Sequence, residues 1–266
     1  MRRIIWSVLA VCWSGLAAAV SPDSTDADAI MAAAEARPTP TSQVAKLSIV
    51  VSDKAGRTRQ RGLRSFSKTS EGMTRQLLMF ESPADVRNSG LLSWDRPGAE
   101  VDDQWLYLPS LKRTSRLGSS DRSGSFMGTD LTYADMTRRD PKAYSYSMVK
   151  PSDTVDGRDC WVIEARVVTD AEKKETGYLK RHVWVDKKTL VVLRSKAWVI
   201  KGQKLKYSSF TDLEQIGGYW IAKKATVRTV SGGETVSESV LLLSDLAVDV
   251  AIDDATLTTA RLERGL

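Results

Sequence analysis

From Val44 onward, apolar and polar residues alternate with the period of a β-strand, and the chain scarcely leaves that pattern. Leu47, Ile49 and Val51 alternate with Lys46, Ser48 and Ser52. Leu77 and Met79 share one face of the next clear run, and Leu78 and Phe80 the other. Trp161, Ile163, Ala165 and Val167 alternate with Val162, Glu164 and Arg166. Turn signals separate the runs: Asp186-Lys187-Lys188-Thr189, Lys201-Gly202-Gln203, Gly217-Gly218 and Gly232-Gly233. The pattern predicts about ten antiparallel strands joined by short turns, so sequence neighbours become sheet neighbours. Before them, residues 27–37 have a helical period, with Ala27, Ile30, Met31 and Ala34 on one face, Asp26 or Ser24 as cap and Pro38-Thr39-Pro40 as terminator. Short helices are expected near residues 131–136 and through Leu257 and Leu262, the last capped by Asp253 or Asp254.

The expected fold class is mainly β: a strongly curved antiparallel sheet, an incomplete β-barrel, with an N-terminal helix and short helices closing its mouth. A sheet of that size must curl or close, and the small helix needs a surface to lie on, most simply the concave face.

The first residues follow a different rule. Arg2 and Arg3 precede an apolar run over residues 4–16, and Ala17-Ala18-Ala19 makes a small-residue cleavage site. The run is short of the roughly 20 apolar residues that span a bilayer. Export with cleavage near Ala19 is expected, which leaves residues 20–43 as an N-terminal segment and 44–266 as a single β domain. Cleavage removes Cys12, so Cys160 stands alone, and neither an intrachain disulfide nor a cysteine metal site is expected. The formal charge of +6 includes Arg2 and Arg3. The remaining excess is mild, and with export it argues against nucleic acid.

The stretch over residues 102–136 draws the most attention. Trp105 and Tyr107 lie on one side of a strand and Leu106 and Leu108 on the other, so both faces require cover by protein or ligand. Lys112, Arg113, Arg116 and Arg122 follow, interleaved with serine and glycine, and then Phe126 and Met127 in a Gly/Ser-rich loop. An apolar wall, a cationic lip and an apolar loop suggest a site for something amphipathic and anionic. The same residues also read as a buried strand, a solvated turn and one loop anchor.

Catalytic chemistry has no positive signal. His182 is a lone histidine in mid-strand, on the face of Lys180 and Trp184, and no Gly-x-Ser-x-Gly elbow accompanies it. No phosphate loop, dinucleotide fingerprint or calcium loop occurs. No enzyme activity and no cofactor are expected.

Within the central stretch, Trp105 to Arg113, Gly118-Ser119-Ser120-Asp121 and Ser125 to Met136 resemble a signature of the LolA-like outer-membrane lipoprotein-sorting proteins. The resemblance implies an incomplete barrel with a hydrophobic cavity that takes a lipid or the acyl chains of a lipoprotein and moves it through the periplasm towards the outer membrane. Leu77, Met79, Trp94, Trp105, Tyr107, Phe126 and Met127 would line or cover that cavity. Lys112, Arg113, Arg116 and Arg122 would meet a headgroup or a partner. An inner-membrane transporter would be the donor. The competing expectation is a periplasmic adaptor of an envelope lipid or efflux-type transporter, its core filled by its own side chains.

Overall fold

The computed structural model describes residues 20–96 and 102–265; the expected leader over residues 1–19 lies outside the described residues. The chain opens on helix α1, Ala27–Glu35, capped by the Asp26 carboxylate, which accepts from the Ala29 amide at 3.0 Å. Six strands follow: β1 Ser42–Asp53, β2 Thr58–Ser70, β3 Met73–Ser82, β4 Gly90–Asp95, β5 Asp103–Leu108 and β6 Arg113–Arg116. Seven more complete the β-structure of the described residues: β7 Tyr144–Val155, β8 Arg158–Val167, β9 Tyr178–Asp186, β10 Val192–Val199, β11 Leu205–Ile216, β12 Tyr219–Ser231 and β13 Glu234–Val248. Helix α2, Asp170–Thr176, separates β8 from β9, and α3, Thr259–Arg264, ends the described chain.

The thirteen described strands form one antiparallel sheet in the order β6-β5-β4-β3-β2-β1-β13-β12-β11-β10-β9-β8-β7. Two meanders are thus joined where β1 pairs with β13. Hairpin turns set the register: both glycines of Gly217-Gly218 and of Gly232-Gly233 have positive φ, the backbone that two-residue hairpins need. The sheet is not closed. β6 is a four-residue border strand, and β7, at the other border, loses register on either side of Lys150, where Pro151 interrupts the ladder.

The count exceeds the expected ten or so. Thr114 and Ser115 carry no apolar alternation, yet β6 pairs with β5. Helix α2 was not expected either. It is too short and polar for a helical period, and its signals are local: the Thr169 hydroxyl accepts from the Glu172 amide at 3.2 Å, and Gly177 closes it at φ 75°.

The degree of curvature follows from one loop. In the strand order β5 and β9 are nine steps apart, roughly 43 Å in a flat sheet at ~4.8 Å per strand. Yet Gln104 of β5 donates to the Tyr133 carbonyl at 2.9 Å, while Arg181 of β9 donates to the Asp135 carboxylate at 2.9 Å. Tyr133 and Asp135 are two residues apart, so their backbones span roughly 7 Å at most. The sheet must therefore wrap around the loop. Arg122, 2% exposed, strengthens the wrap: it donates to Glu175 of α2 at 2.5 Å and to the Asp102 carbonyl beside β5.

The inner face carries two packed regions. Ile49, Leu63, Leu78, Phe80 and Phe126 fill one end, and α1 seats Ile30 and Met31 on Trp161, Ile163, Val183 and Val185 at the other. As the alternation predicts, α1 lies on the concave side. The C-terminal segment covers the convex side instead, where Ile252, Leu257 and Leu262 pack on Leu77, Met79 and Leu92. Among the described residues no helix is long and apolar enough to cross a membrane.

Candidate functional site

Between the two packed regions of the inner face the sheet leaves space unfilled. The cause is side-chain size. Ser67 and Thr69 of β2, Ser195 and Ala197 of β10 and Ser208 of β11 face the interior where large residues would close it. The result is a cavity of about 630 Å³, within the usual range for small-molecule sites. Val183, Ala197, Phe210, Ala222 and Val227 supply an apolar wall, and Met31 and Ala34 of α1 roof it.

The opposite wall is charged. Arg37, Arg138, Arg139, Arg181 and Lys206 line the cavity, against two carboxylates, Glu35 and Asp135. Asp135 accepts from Arg181 at 2.9 Å, from the Tyr178 hydroxyl at 2.8 Å and from the Thr132 amide at 2.9 Å. Lys206 donates to the Tyr178 oxygen at 3.2 Å, so Tyr178 links it to Asp135. The Arg181 guanidinium lies over the Tyr178 ring at 4.0 Å. Burial by itself would raise the Asp135 pKa, but the charges of Arg181, Lys206 and Arg139 outweigh it and hold the carboxyl well below the usual range. The Arg139 pKa is lowered, first by the charge of Arg181 and then by burial. Burial lowers Lys206, assisted by Arg181 and opposed by Asp135.

The segment carrying Arg138 and Arg139 divides this cavity from a second space of about 860 Å³, which it also lines. That outer vestibule carries four carboxylates, Asp95, Asp102, Glu172 and Glu175, on its walls. Arg138 and Arg139 are exposed and border both spaces. In the vestibule, burial and the neighbouring Asp95 push Asp102 up to about 6, against a hydrogen bond from the Arg96 amide.

None of the seven apolar residues expected to hold a lipid lines this cavity. Leu77 and Met79 are buried on the convex face under the C-terminal segment, and Trp94, Trp105 and Tyr107 pack around them. Trp94 meets Trp105 edge-on at 5.1 Å and donates to the Leu257 carbonyl at 3.1 Å. These side chains are occupied by the protein itself. Phe126 is 1% exposed, against Phe80 at 5.9 Å and Tyr133 at 5.7 Å, with Met127 packed beside it. The space beneath that loop is solid. Asp130 fixes the loop across the sheet by accepting from Thr229, Ser237 and Ser239, and Arg61 donates to the Met127 carbonyl.

The expected basic lip disperses as well. Arg122 is buried in its ion pair with Glu175. Arg116 pairs with Asp103 on the convex side. Lys112 and Arg113 stand exposed at the β5–β6 turn beside Leu111, itself 66% exposed. His182 lies outside the cavity, 3.0 Å from Glu164 and 4.7 Å from the Trp198 ring, and Cys160 is fully buried. Arg139, Arg181, Lys206 and Asp135 were missed by the sequence reading. A signal for one of them was present, since Arg181 shares its face with Val183 and Val185.

A curved, open antiparallel sheet with a helix on its concave face and a cavity beneath it defines the class: a LolA-like fold. The comparisons agree. The chain is similar to a domain from Vibrio parahaemolyticus described as an outer-membrane lipoprotein-sorting protein, with 26% identity, TM-score 0.80 and coverage of 90% of this chain and 98% of that one. It is also similar to a DUF1329 family protein from Desulfovibrio piger, with 28% identity, TM-score 0.78 and coverage of 88% and 97%. A LolA superfamily protein from Nitrosomonas europaea shares the fold at 19% identity and TM-score 0.66, with coverage of 88% and 98%. No curated protein matches. A family model described as "Uncharacterized protein"-like matches residues 72–264, and the chain belongs to that family.

Proposed function

We propose that this chain is a non-catalytic periplasmic carrier that holds a lipid, or the acyl chains of a lipoprotein, and moves it towards the outer membrane. In this reading residues 1–19 are a cleaved leader and 44–266 one carrier domain. The observation that carries the proposal is the unfilled half-apolar cavity of about 630 Å³ within an open LolA-like sheet. Similarity to a protein described as lipoprotein-sorting supports it. Each methylene taken from water into the cavity would contribute about 0.8 kcal/mol, so a dozen suffice for useful affinity after ordering costs. The seats for the chain are Val183, Ala197, Phe210, Ala222 and Val227, which replace the residues the sequence suggested.

The test is native purification followed by lipid mass spectrometry, with titration of a fluorescent fatty acid. Co-extracted lipid and saturable binding are expected. A folded protein that yields no lipid and ignores the probe would remove the carrier reading.

A second reading has its own observation. The tip formed by Leu111, Lys112 and Arg113 is exposed and amphipathic, as a docking tip for an envelope partner would be. An adaptor would co-purify with an inner-membrane transporter and lose it in Leu111→Asp. A carrier would use the same tip to meet its donor.

A further inference from the structure

We propose that the cavity contains an anion-binding subsite formed by Arg139, Arg181 and Lys206, so that the cargo is an anionic amphiphile held with its phosphate or carboxylate inside the fold. The proposal rests on the carrier reading above and narrows it to one ligand class.

The first observation is a charge imbalance in a confined space. Five basic residues and two acidic ones line the cavity, and of the five Arg181 is buried, where a charge ordinarily needs full pairing. Asp135 is the acceptor nearest the basic cluster, and its oxygens already receive Arg181, Tyr178 and the Thr132 amide. Glu172, whose charge Arg139 also feels, accepts from the Tyr144 hydroxyl at 2.6 Å. Asp130, which Lys206 feels, receives three hydroxyls.

The second observation is unused donor capacity. The Arg181 Nε is buried and has no hydrogen-bond partner. The Arg139 guanidinium makes no hydrogen bond or ion pair among the described residues, while the charge of Arg181 disfavours its own. Lys206 spends one donor on Tyr178. Two guanidinium groups and an ammonium in mutual electrostatic contact form a site that an oxyanion would relieve. The third observation is the wall opposite. Val183, Ala197 and Phe210 share the cavity with these cations, so one molecule can meet both. A bare anion would leave that wall in water. A neutral lipid would leave the cations crowded.

The experiment compares three probes on the mature protein: a fluorescent phosphatidic acid, a phosphatidylcholine with the same labelled chain, and inorganic phosphate by calorimetry. The wild type is expected to prefer the anionic lipid, with binding that weakens as salt rises. Arg139→Gln, which breaks no ion pair of the fold, should lower the ratio of anionic to zwitterionic affinity about tenfold, and Arg139→Gln with Lys206→Gln further. Lys54→Gln, a charge change at an exposed surface pair with Glu234, should leave that ratio in place. Equal affinity for both lipids in the wild type, or an unmoved ratio in Arg139→Gln, would overturn the subsite and leave the carrier standing. Binding of neither lipid by the folded protein would instead end the carrier reading. Phosphate alone binding as tightly as the lipid would overturn the amphiphile assignment, since the apolar wall would then contribute nothing.

Discussion

Asp135 and Arg181 meet at 2.9 Å with 9% of each side chain exposed, and this contact ties the inner loop to β9. Removing one partner of a buried pair strands the other, at a cost of about 3 kcal/mol or more. Asp135→Asn should therefore lower stability by that order in urea unfolding followed by circular dichroism at neutral pH. A loss below about 1 kcal/mol would mean that the pair is not needed to hold the loop. The pH dependence has a fixed sign. Asp135 is held well below its ordinary pKa, so its contribution is complete above about pH 4 and drains away as pH falls further. The asparagine variant should lose correspondingly less in acid.

Filling the cavity should block cargo without harming the fold. Ser208 faces the cavity and is only half-buried, so a larger side chain there has somewhere to go. Ser208→Phe is expected to abolish fatty-acid probe binding while the thermal midpoint moves by no more than a few degrees. Undiminished probe binding would place the cargo elsewhere.

Asp130 anchors the loop that carries Phe126. Thr229, Ser237 and Ser239 all donate to its carboxylate. Asp130→Ala leaves three hydroxyls without an acceptor and should cost about 2–3 kcal/mol. Native-state hydrogen exchange should report it locally, as faster exchange at the Phe126 and Thr129 amides. Unchanged protection there would mean that the packing of Phe126 on Phe80 and Tyr133 suffices.

Asp102 predicts an opposite pH trend in the vestibule. Its folded pKa is about 6, mainly through burial, above the roughly 3.9 of an unfolded aspartate. The folded state then holds more protons between those values, and stability falls as pH climbs through the window. Asp102→Asn keeps an oxygen for the Arg96 amide and should gain on the order of 1 kcal/mol above pH 7, after allowance for partial exposure, and nothing near pH 4. A gain independent of pH would contradict this assignment.

The fold was legible because alternation, paired-glycine turns and one helical stretch are local signals. Ile49 and Val51, and likewise Trp161 and Ile163, share the inner face as their alternation groups them. The site was not legible in the same way. Trp105 and Tyr107 do need cover, as a two-sided apolar strand must, but sequence cannot say whether a ligand or Leu257 and Leu262 supplies it. The basic run from Lys112 to Arg122 is clustered in sequence and scattered in space. The cavity cations behave in the reverse manner: Arg181 and Lys206 stand opposite Ala197 on the strands that flank β10, and the wrapped loop brings Arg139 to them. Arg181 among inward valines was the one visible clue, and its weight depends on a curvature that only the wrapped loop reveals.

The two borders of the sheet have a further consequence. An unpaired strand invites another chain to stitch onto its backbone, and this protein has two such margins. One is only four residues long and tipped with Arg113 and Arg116; the other is broken at Pro151 and slips out of phase on both sides of Lys150. Neither offers a straight run of free amides and carbonyls. The sheet can therefore stay open without neighbouring molecules zipping together into fibrils along its margins.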